Sequence, residues 1–506
     1  MNITLFLLAL IPIFWLIVSL GALKIPGHIA CPVALATSLL IAVTAFKSTP
    51  AVAFSGALEG IVMGLWPIVF IIIAAVFTYN ITVESGGMDI IKKQMVSVTT
   101  DRRILVLILA WGFGGFLESI AGFGTAVAIP AGILAGLGFD PIKAAVLCLI
   151  ANTTPTAFGA IGLPVTTLAQ VSGLEPHELA YTISLQLFPL ILIIPFILVK
   201  LTGKEKEDDK GIFLITLCSG LAYALPQILV TKFIGAELPS IIGSLLSMFV
   251  TILMAKKREQ KLNGKKTKRD VSNKEIFRAW LPFILVFLLI IGSSSLIPPI
   301  HKALNSVSTS VPIYKGEGAS LYTFKWLACP GTLMIVAAII GGLLQRLSLK
   351  QIFSVLGKTV SQMGTTVITV STIVALAKVM GYSGMIHVIA DVLVAATGSF
   401  YTFVAPVIGA LGTFVTGSDT SANVLFGQLQ VDAANSIGAN PFWIAAANMS
   451  GATAGKMISP QSIAVATAAT GLQGSEGKIL NATLKVCLGY VVIIGIVVYF
   501  GAPIFL

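Results

Sequence analysis

The sequence predicts an all-α polytopic membrane protein of about 12 transmembrane helices plus two re-entrant hairpins, set in two inverted-topology repeats. Three observations carry that prediction. The first is composition. Of 506 residues, 56% are hydrophobic and 10% charged, where a soluble globular chain carries about 25% charged residues; mean hydropathy is +0.97. The second is the recurrence, from end to end, of apolar windows of about 20 residues, the length that spans a bilayer. The alternating segments of roughly ten residues that mark a membrane β-barrel do not occur. The third is an internal repeat, described below.

Taken in order, spans are expected at about 3–22, 29–46 and 60–80. No Lys or Arg precedes the first, so it is expected to be a retained helix and not a secretory signal. A short amphipathic piece, Gly86–Arg103, leads into the stretch Gly112–Pro164. That stretch is apolar yet holds Glu118, Asn152, several hydroxyls and many glycines. Interrupted backbone at membrane depth is tolerated only where it is buried in protein or lines a wet cavity. The reading is a hairpin at 104–139, a broken helix at 143–173 and a closing helix at about 178–199. Together with the three opening spans these form a first repeat, 1–200. A linking helix pair, about 211–231 and 237–255, and a basic loop make up 201–278. The second repeat is 279–506, with spans at 279–297, 326–345 and 352–380, a Ser-rich outer segment 298–324, a hairpin at 401–437 and a broken helix at 441–473.

The repeat itself is a run of matches in one register. Gly86-Gly-Met88 aligns with Ser383-Gly-Met385, and Gly112 and Gly115 align with Gly409 and Gly412, at an offset of 297. Ala151-Asn-Thr-Thr154 aligns with Ala447-Asn-Met-Ser450, Gly159 with Gly455 and Pro164 with Pro460, at 296. Loop charges orient the copies. Lys256, Lys257, Arg258, Lys261, Lys265, Lys266, Lys268 and Arg269 form a loop read as a solvated cytoplasmic orientation signal, with contact to anionic lipid as the other reading. Lys200–Lys210 falls on the same side, as do Lys92, Lys93, Arg102 and Arg103 and, later, Arg346 and Lys350. The second copy then begins from the opposite face.

The candidate site follows. Glu118 is an ionisable group at membrane depth, which is costly and marks a functional position by default. Burial favours the neutral form of a carboxyl group, so Glu118 reads as a proton-coupling residue, with Asp419 as its counterpart in the second copy. Asn152, Thr153 and Thr154 in the first copy read as substrate-binding residues. So do Ser418, Thr420 and Asn423, then Asn448 and Ser450, and finally Lys456 and Gln461 in the second. Hydroxyls, amides and the positive ends of half-helices suit a small organic anion, and Lys456 is the one cation inside the second special stretch. Each has a structural alternative: helix capping for Ser418 and Thr420, interhelical hydrogen bonds for the two Asn, snorkelling for Lys456 and, more readily, Lys378.

Several classes are disfavoured. The five Cys and four His are scattered, so no metal site is expected. No phosphate loop follows a strand, which argues against an ATP-driven pump. No nucleophile–His pairing is evident, so no enzyme and no cofactor are expected. The net charge of +11 sits mostly in one loop and requires no nucleic acid. The sequence leaves homo-oligomer formation open.

Phe116-Leu-Glu-Ser-Ile-Ala-Gly-Phe-Gly-Thr-Ala-Val-Ala-Ile129, Ala151-Asn-Thr-Thr-Pro-Thr-Ala-Phe-Gly-Ala-Ile-Gly-Leu-Pro164, Thr416-Gly-Ser-Asp-Thr-Ser-Ala-Asn423 and Gly455-Lys-Met-Ile-Ser-Pro-Gln-Ser-Ile-Ala464 resemble the signature segments of the L-lactate permease family. The resemblance covers nearly the whole chain. It implies proton-coupled uptake of lactate, and often glycolate, through the cytoplasmic membrane. The paired Asn elements also resemble those of the wider ion-transporter superfamily, whose members move carboxylates by an elevator motion. A sodium-coupled carboxylate carrier of similar fold is the alternative function, and a membrane-embedded enzyme the remote one.

Overall fold

The computed structural model describes residues 3–23, 25–122, 124–203, 211–263, 272–293, 297–317, 319–472 and 475–504. Among the described residues, eleven helices are long and apolar enough to cross a membrane, or up to twelve if a bent pair counts as one span. They begin where the sequence places helix starts. Asp140, Asn440 and Ser459 each precede a proline, and each side chain accepts a hydrogen bond from a backbone N–H of the first turn. A polar cap followed by Pro at the first helical position is a strong start signal, because it satisfies one free N–H and removes another.

Four interrupted elements occupy the centre. The first is a helical pair: Arg102–Ile120, buried from Arg103 onward, and Thr125–Gly136. These fold back on each other, so a Cβ on Gly114 would stand 3.2 Å from the Ala126 carbonyl oxygen. The second is Pro141–Ala151 with Thr154–Ser172, bent by 47°. In the second half, Tyr401–Thr416 turns at Gly417 into Asp419–Ile437, and Pro441–Lys456 is followed after a short break by Pro460–Thr470. Gly409, Gly451 and Gly455 bring Tyr401–Thr416 and Pro441–Lys456 into backbone contact; a Cβ at any of them would overlap Asn448, Pro406 or Ala410. Close approach through small residues is how helices associate where no water is expelled.

Around this centre stand Gly27–Thr44, Pro50–Met63 and Gly364–Tyr382. Gly60 of the second, and Gly64 just after it, lie against the backbone of Ala375 and Ser371 in the third. The Ser-rich outer segment holds a helix, Pro298–Ser306, and an antiparallel pair of strands, Ser308–Pro312 and Leu321–Lys325, with Ser308 opposite Lys325. Two expectations are corrected here. The span read at 352–380 is two helices, Leu349–Gln362 and Gly364–Tyr382. Lys378 does not snorkel. Its Nζ lies 3.1 Å from Glu59 Oε1, and the Tyr382 hydroxyl donates to the same oxygen.

The basic loop also differs from its reading. Arg258 is not solvated but buried at the end of Pro239–Asn263, 3.0 Å from Asp101 Oδ2, an oxygen that also takes Arg103 at 3.0 Å. Lys204–Lys210 and Lys265, Lys266, Lys268 and Arg269 lie outside the described residues.

Candidate functional site

The tips and breaks of all four interrupted elements meet at one cavity of ≈ 330 Å³. Glu118 reaches it from the end of the first helical pair, and Asp419 from the first turn of Asp419–Ile437. Both carboxyl groups are buried, at 4% exposure each. Among the described residues, Oε2 of Glu118 and both oxygens of Asp419 have no hydrogen-bond partner. Unpartnered buried polar atoms are rare in native structures and ask for an explanation such as a proton, a water or a ligand.

Lys456, the last residue of its helix, lines the same cavity. Among the described residues it makes no ion pair with either carboxyl group; its Nζ donates to the Gly417 carbonyl at 2.9 Å instead. Lys456 thus ties the break of the second broken helix to the tip of the second helical pair. Gln461 packs on the same Gly417, where a Cβ would overlap its amide. Gly417 has φ +70, a conformation glycine adopts without steric cost. Ser418 caps the following helix by accepting from the Ser421 N–H, and Thr420 stands beside it in the cavity wall.

The remaining expected residues are placed differently. Asn152 caps the first half of its broken helix beside Glu118, and both atoms of its amide are buried and unpartnered. Thr153 donates to the Ile150 carbonyl, and the Thr154 hydroxyl is buried without a partner. Asn448 sits inside a continuous helix, not at a break, because Pro441–Lys456 runs two turns further than its counterpart. Its Nδ2 donates to Asn423 Oδ1 at 3.0 Å, and its Oδ1 accepts from Gln430 Nε2 at 3.1 Å. Asn423 in turn donates to the Pro164 carbonyl at 3.0 Å. Ser450 donates to Gln186, which donates to the Trp443 carbonyl. Asn423 with Asn448, and separately Ser450, thus bond across the two halves in buried sites and do not line the cavity, while Glu118, Ser418, Asp419, Thr420, Lys456 and Gln461 line it.

Other lining residues were not legible in the sequence. Thr156 comes from the short 3-10 turn in the first break, and His28, Thr365 and Thr366 come from the starts of Gly27–Thr44 and Gly364–Tyr382. A larger cavity of ≈ 650 Å³ lies toward the strand pair, lined among others by Glu59, Ile161, Glu237, His301 and Lys378. Ala160 faces the smaller cavity and Ile161 the larger one. The partition between them is a left-handed turn, with φ 42 at Ala160, 58 at Ile161 and 73 at Gly162. Such values are strained for an alanine and more so for a β-branched residue.

A multi-pass helical bundle with interrupted helices around one polar, charged cavity is the architecture of a membrane transporter. The chain matches the L-lactate permease family over residues 5–505 and belongs to it. It is 59% identical to the L-lactate permease of Streptococcus iniae over 440 residues, 87% of this chain and 93% of that protein. It is 37% identical to the glycolate permease GlcA of Escherichia coli (strain K12) over 543 residues, 99% and 96% of the two chains. With the L-lactate permease of Bacillus subtilis (strain 168) the identity is 36% over 545 residues, again 99% and 96%. Among solved structures, the chain is similar to the MtrF efflux pump of Neisseria gonorrhoeae, with TM-score 0.48 and 12% identity, covering 89% of this chain and 84% of that one. It is also similar to the YdaH transporter of Alcanivorax borkumensis, with TM-score 0.46 and 15% identity over 86% of each. The chain is a multi-pass cell-membrane transporter, not an enzyme.

Proposed function

We propose that the protein imports a small 2-hydroxy monocarboxylate, L-lactate first and D-lactate and glycolate beside it, together with protons. The relatives named for lactate and glycolate transport support the cargo. One observation supports the coupling: two buried carboxyl groups, with oxygens that have no hydrogen-bond partner among the described residues, share the cavity with a lysine that forms no ion pair with either. An anion entering the cavity supplies the lysine with its missing partner. Protonation removes the cost of burying the two carboxyl groups. Cargo and proton thus favour each other's binding, which is what symport requires. The four interrupted elements are read as two inverted repeats carrying this site between them.

Proteoliposomes holding the purified protein test the reading. An inward proton gradient should drive lactate accumulation, and a sodium gradient at equal pH should not. Lactate uptake that ignores the pH gradient and follows sodium would overturn the coupling and leave the cargo in place.

A further inference from the structure

The charged half of the cavity accounts for a carboxylate and a proton, but a 2-hydroxy acid also carries a neutral hydroxyl. We propose that His28, Thr365 and Thr366 form a second, polar wall that reads that hydroxyl; the inference rests on the cargo assigned above. Residues Glu118, Asp419 and Lys456 belong to the interrupted elements, whereas His28 opens helix Gly27–Thr44 and the two threonines open helix Gly364–Tyr382. The two helices are in direct contact at this level: a Cβ on Gly27 would stand 2.9 Å from Thr369 Cγ2. His28 is therefore held next to the threonine turn by packing and not by a polar bond.

The hydrogen bonds single out which groups are available. Thr369 also lines the cavity, but its hydroxyl is spent on the Thr365 carbonyl at 2.9 Å. The hydroxyls of Thr365 and Thr366 and the ring of His28 make no hydrogen bond among the described residues, and all three residues line the cavity, Thr365 at its exposed rim and the other two half-buried. A hydroxyl needs a donor and an acceptor in reach, and Thr and neutral His each offer both. A wall of this kind discriminates by what it leaves unsatisfied. A site built to bond a substrate hydroxyl rejects the analogue lacking it far more strongly than an apolar site rejects an added hydroxyl. Propionate, which keeps the carboxylate and carbon chain of lactate and lacks only the hydroxyl, is the matched probe.

The experiment is inhibition of labelled lactate exchange in proteoliposomes by unlabelled lactate and by propionate. The wild-type protein should prefer lactate. In T365V/T366V, and separately in H28L, the preference should fall about tenfold or more, with the apparent affinity for propionate kept. A preference unchanged in variants that still exchange overturns the wall while leaving the cargo assignment standing. If the valine pair exchanges neither acid, T365S/T366S decides: restored lactate preference supports the wall, and its failure to return overturns it. Failure of the wild-type protein to exchange any 2-hydroxy monocarboxylate overturns the cargo assignment, and the wall with it.

Discussion

Gly159 makes room for Glu118: a Cβ at Gly159 would stand 2.8 Å from Glu118 Oε1. The backbone at Gly159, with φ −64 and ψ 158, is one that any residue adopts. Glycine is needed there for space and not for conformation. Gly159→Ala should therefore fold and yet push the carboxyl group out of place. The expected result is a fall in lactate uptake on the order of tenfold to a hundredfold, the scale of a displacement of about 1 Å at a reacting group. Uptake in vesicles beside thermal melting in detergent checks it, and wild-type uptake would show that the carboxyl position is unimportant.

Glu118 and Asp419 are expected to divide transport into its parts. Glu118→Gln keeps size and polarity but removes the titrating proton. Accumulation against a gradient should be abolished while exchange of lactate for lactate persists, since exchange needs no net proton movement. Asp419→Asn should behave alike if the two share the coupling. Concentrative uptake by Glu118→Gln would move the coupling to Asp419 alone.

How much of this site could be read from the chain depends on the type of residue. Glu118, Asp419 and Lys456 stand out because charge inside an apolar window has few explanations. Asn448 and Ser450 cannot be told from ligand contacts in sequence, because an amide or hydroxyl in a Gly/Ala-rich helix looks the same whether its partner is Gln430, Gln186 or a solute. His28 and Thr365 stay invisible for another reason: they open unbroken helices and reach the site only through tertiary packing. Glu59 was within reach, since it sits beside an apolar span as Glu118 does, and its partner Lys378 lies in another. The helices themselves follow from apolar windows and polar-Pro starts. The strand pair at 308–325 does not, because strands of five residues rich in Ser, Thr and Tyr outside the bilayer carry no long periodic signal.

Asn152 and Asn448 align in sequence but should respond in opposite ways. Asn448 bonds Asn423 and Gln430 in a fully buried network. Asn448→Ala leaves those partners unsatisfied, which costs about 1–3 kcal/mol for each buried group. It should lower the melting temperature and change the apparent lactate affinity little. Asn152 has an unpartnered amide beside Glu118, so Asn152→Ala should cost little stability and weaken transport. Melting curves and uptake kinetics on the two variants separate the roles, and equal behaviour would refute the division.

Asp101 offers a test of stability in place of transport. It precedes helix Arg102–Val106, is 0% exposed, and binds Arg103 and Arg258 at 3.0 Å each. Burial alone would raise its pKa, but the hydrogen bonds and charge of Arg103, with the charge of Arg258, hold it below the ordinary aspartate value. A depressed carboxyl pKa stabilises the folded state above the unfolded value, near 3.9, and the gain is lost as pH falls through the folded value. Asp101→Asn takes one buried counter-charge away from both Arg103 and Arg258, and breaking a buried pair costs about 3–5 kcal/mol. The variant should melt well below wild type at neutral pH. The gap should begin to narrow below about pH 4, where the aspartate of the unfolded chain takes up its proton, and should close as pH falls through the lower folded value. The bond also joins the start of the first helical pair to helix Pro239–Asn263, so the loss should appear first as hydrogen exchange at 101–120 and 250–260. A variant as stable as wild type across that range would mean that Arg103 and Arg258 are held by other contacts and that Asp101 is not the tie.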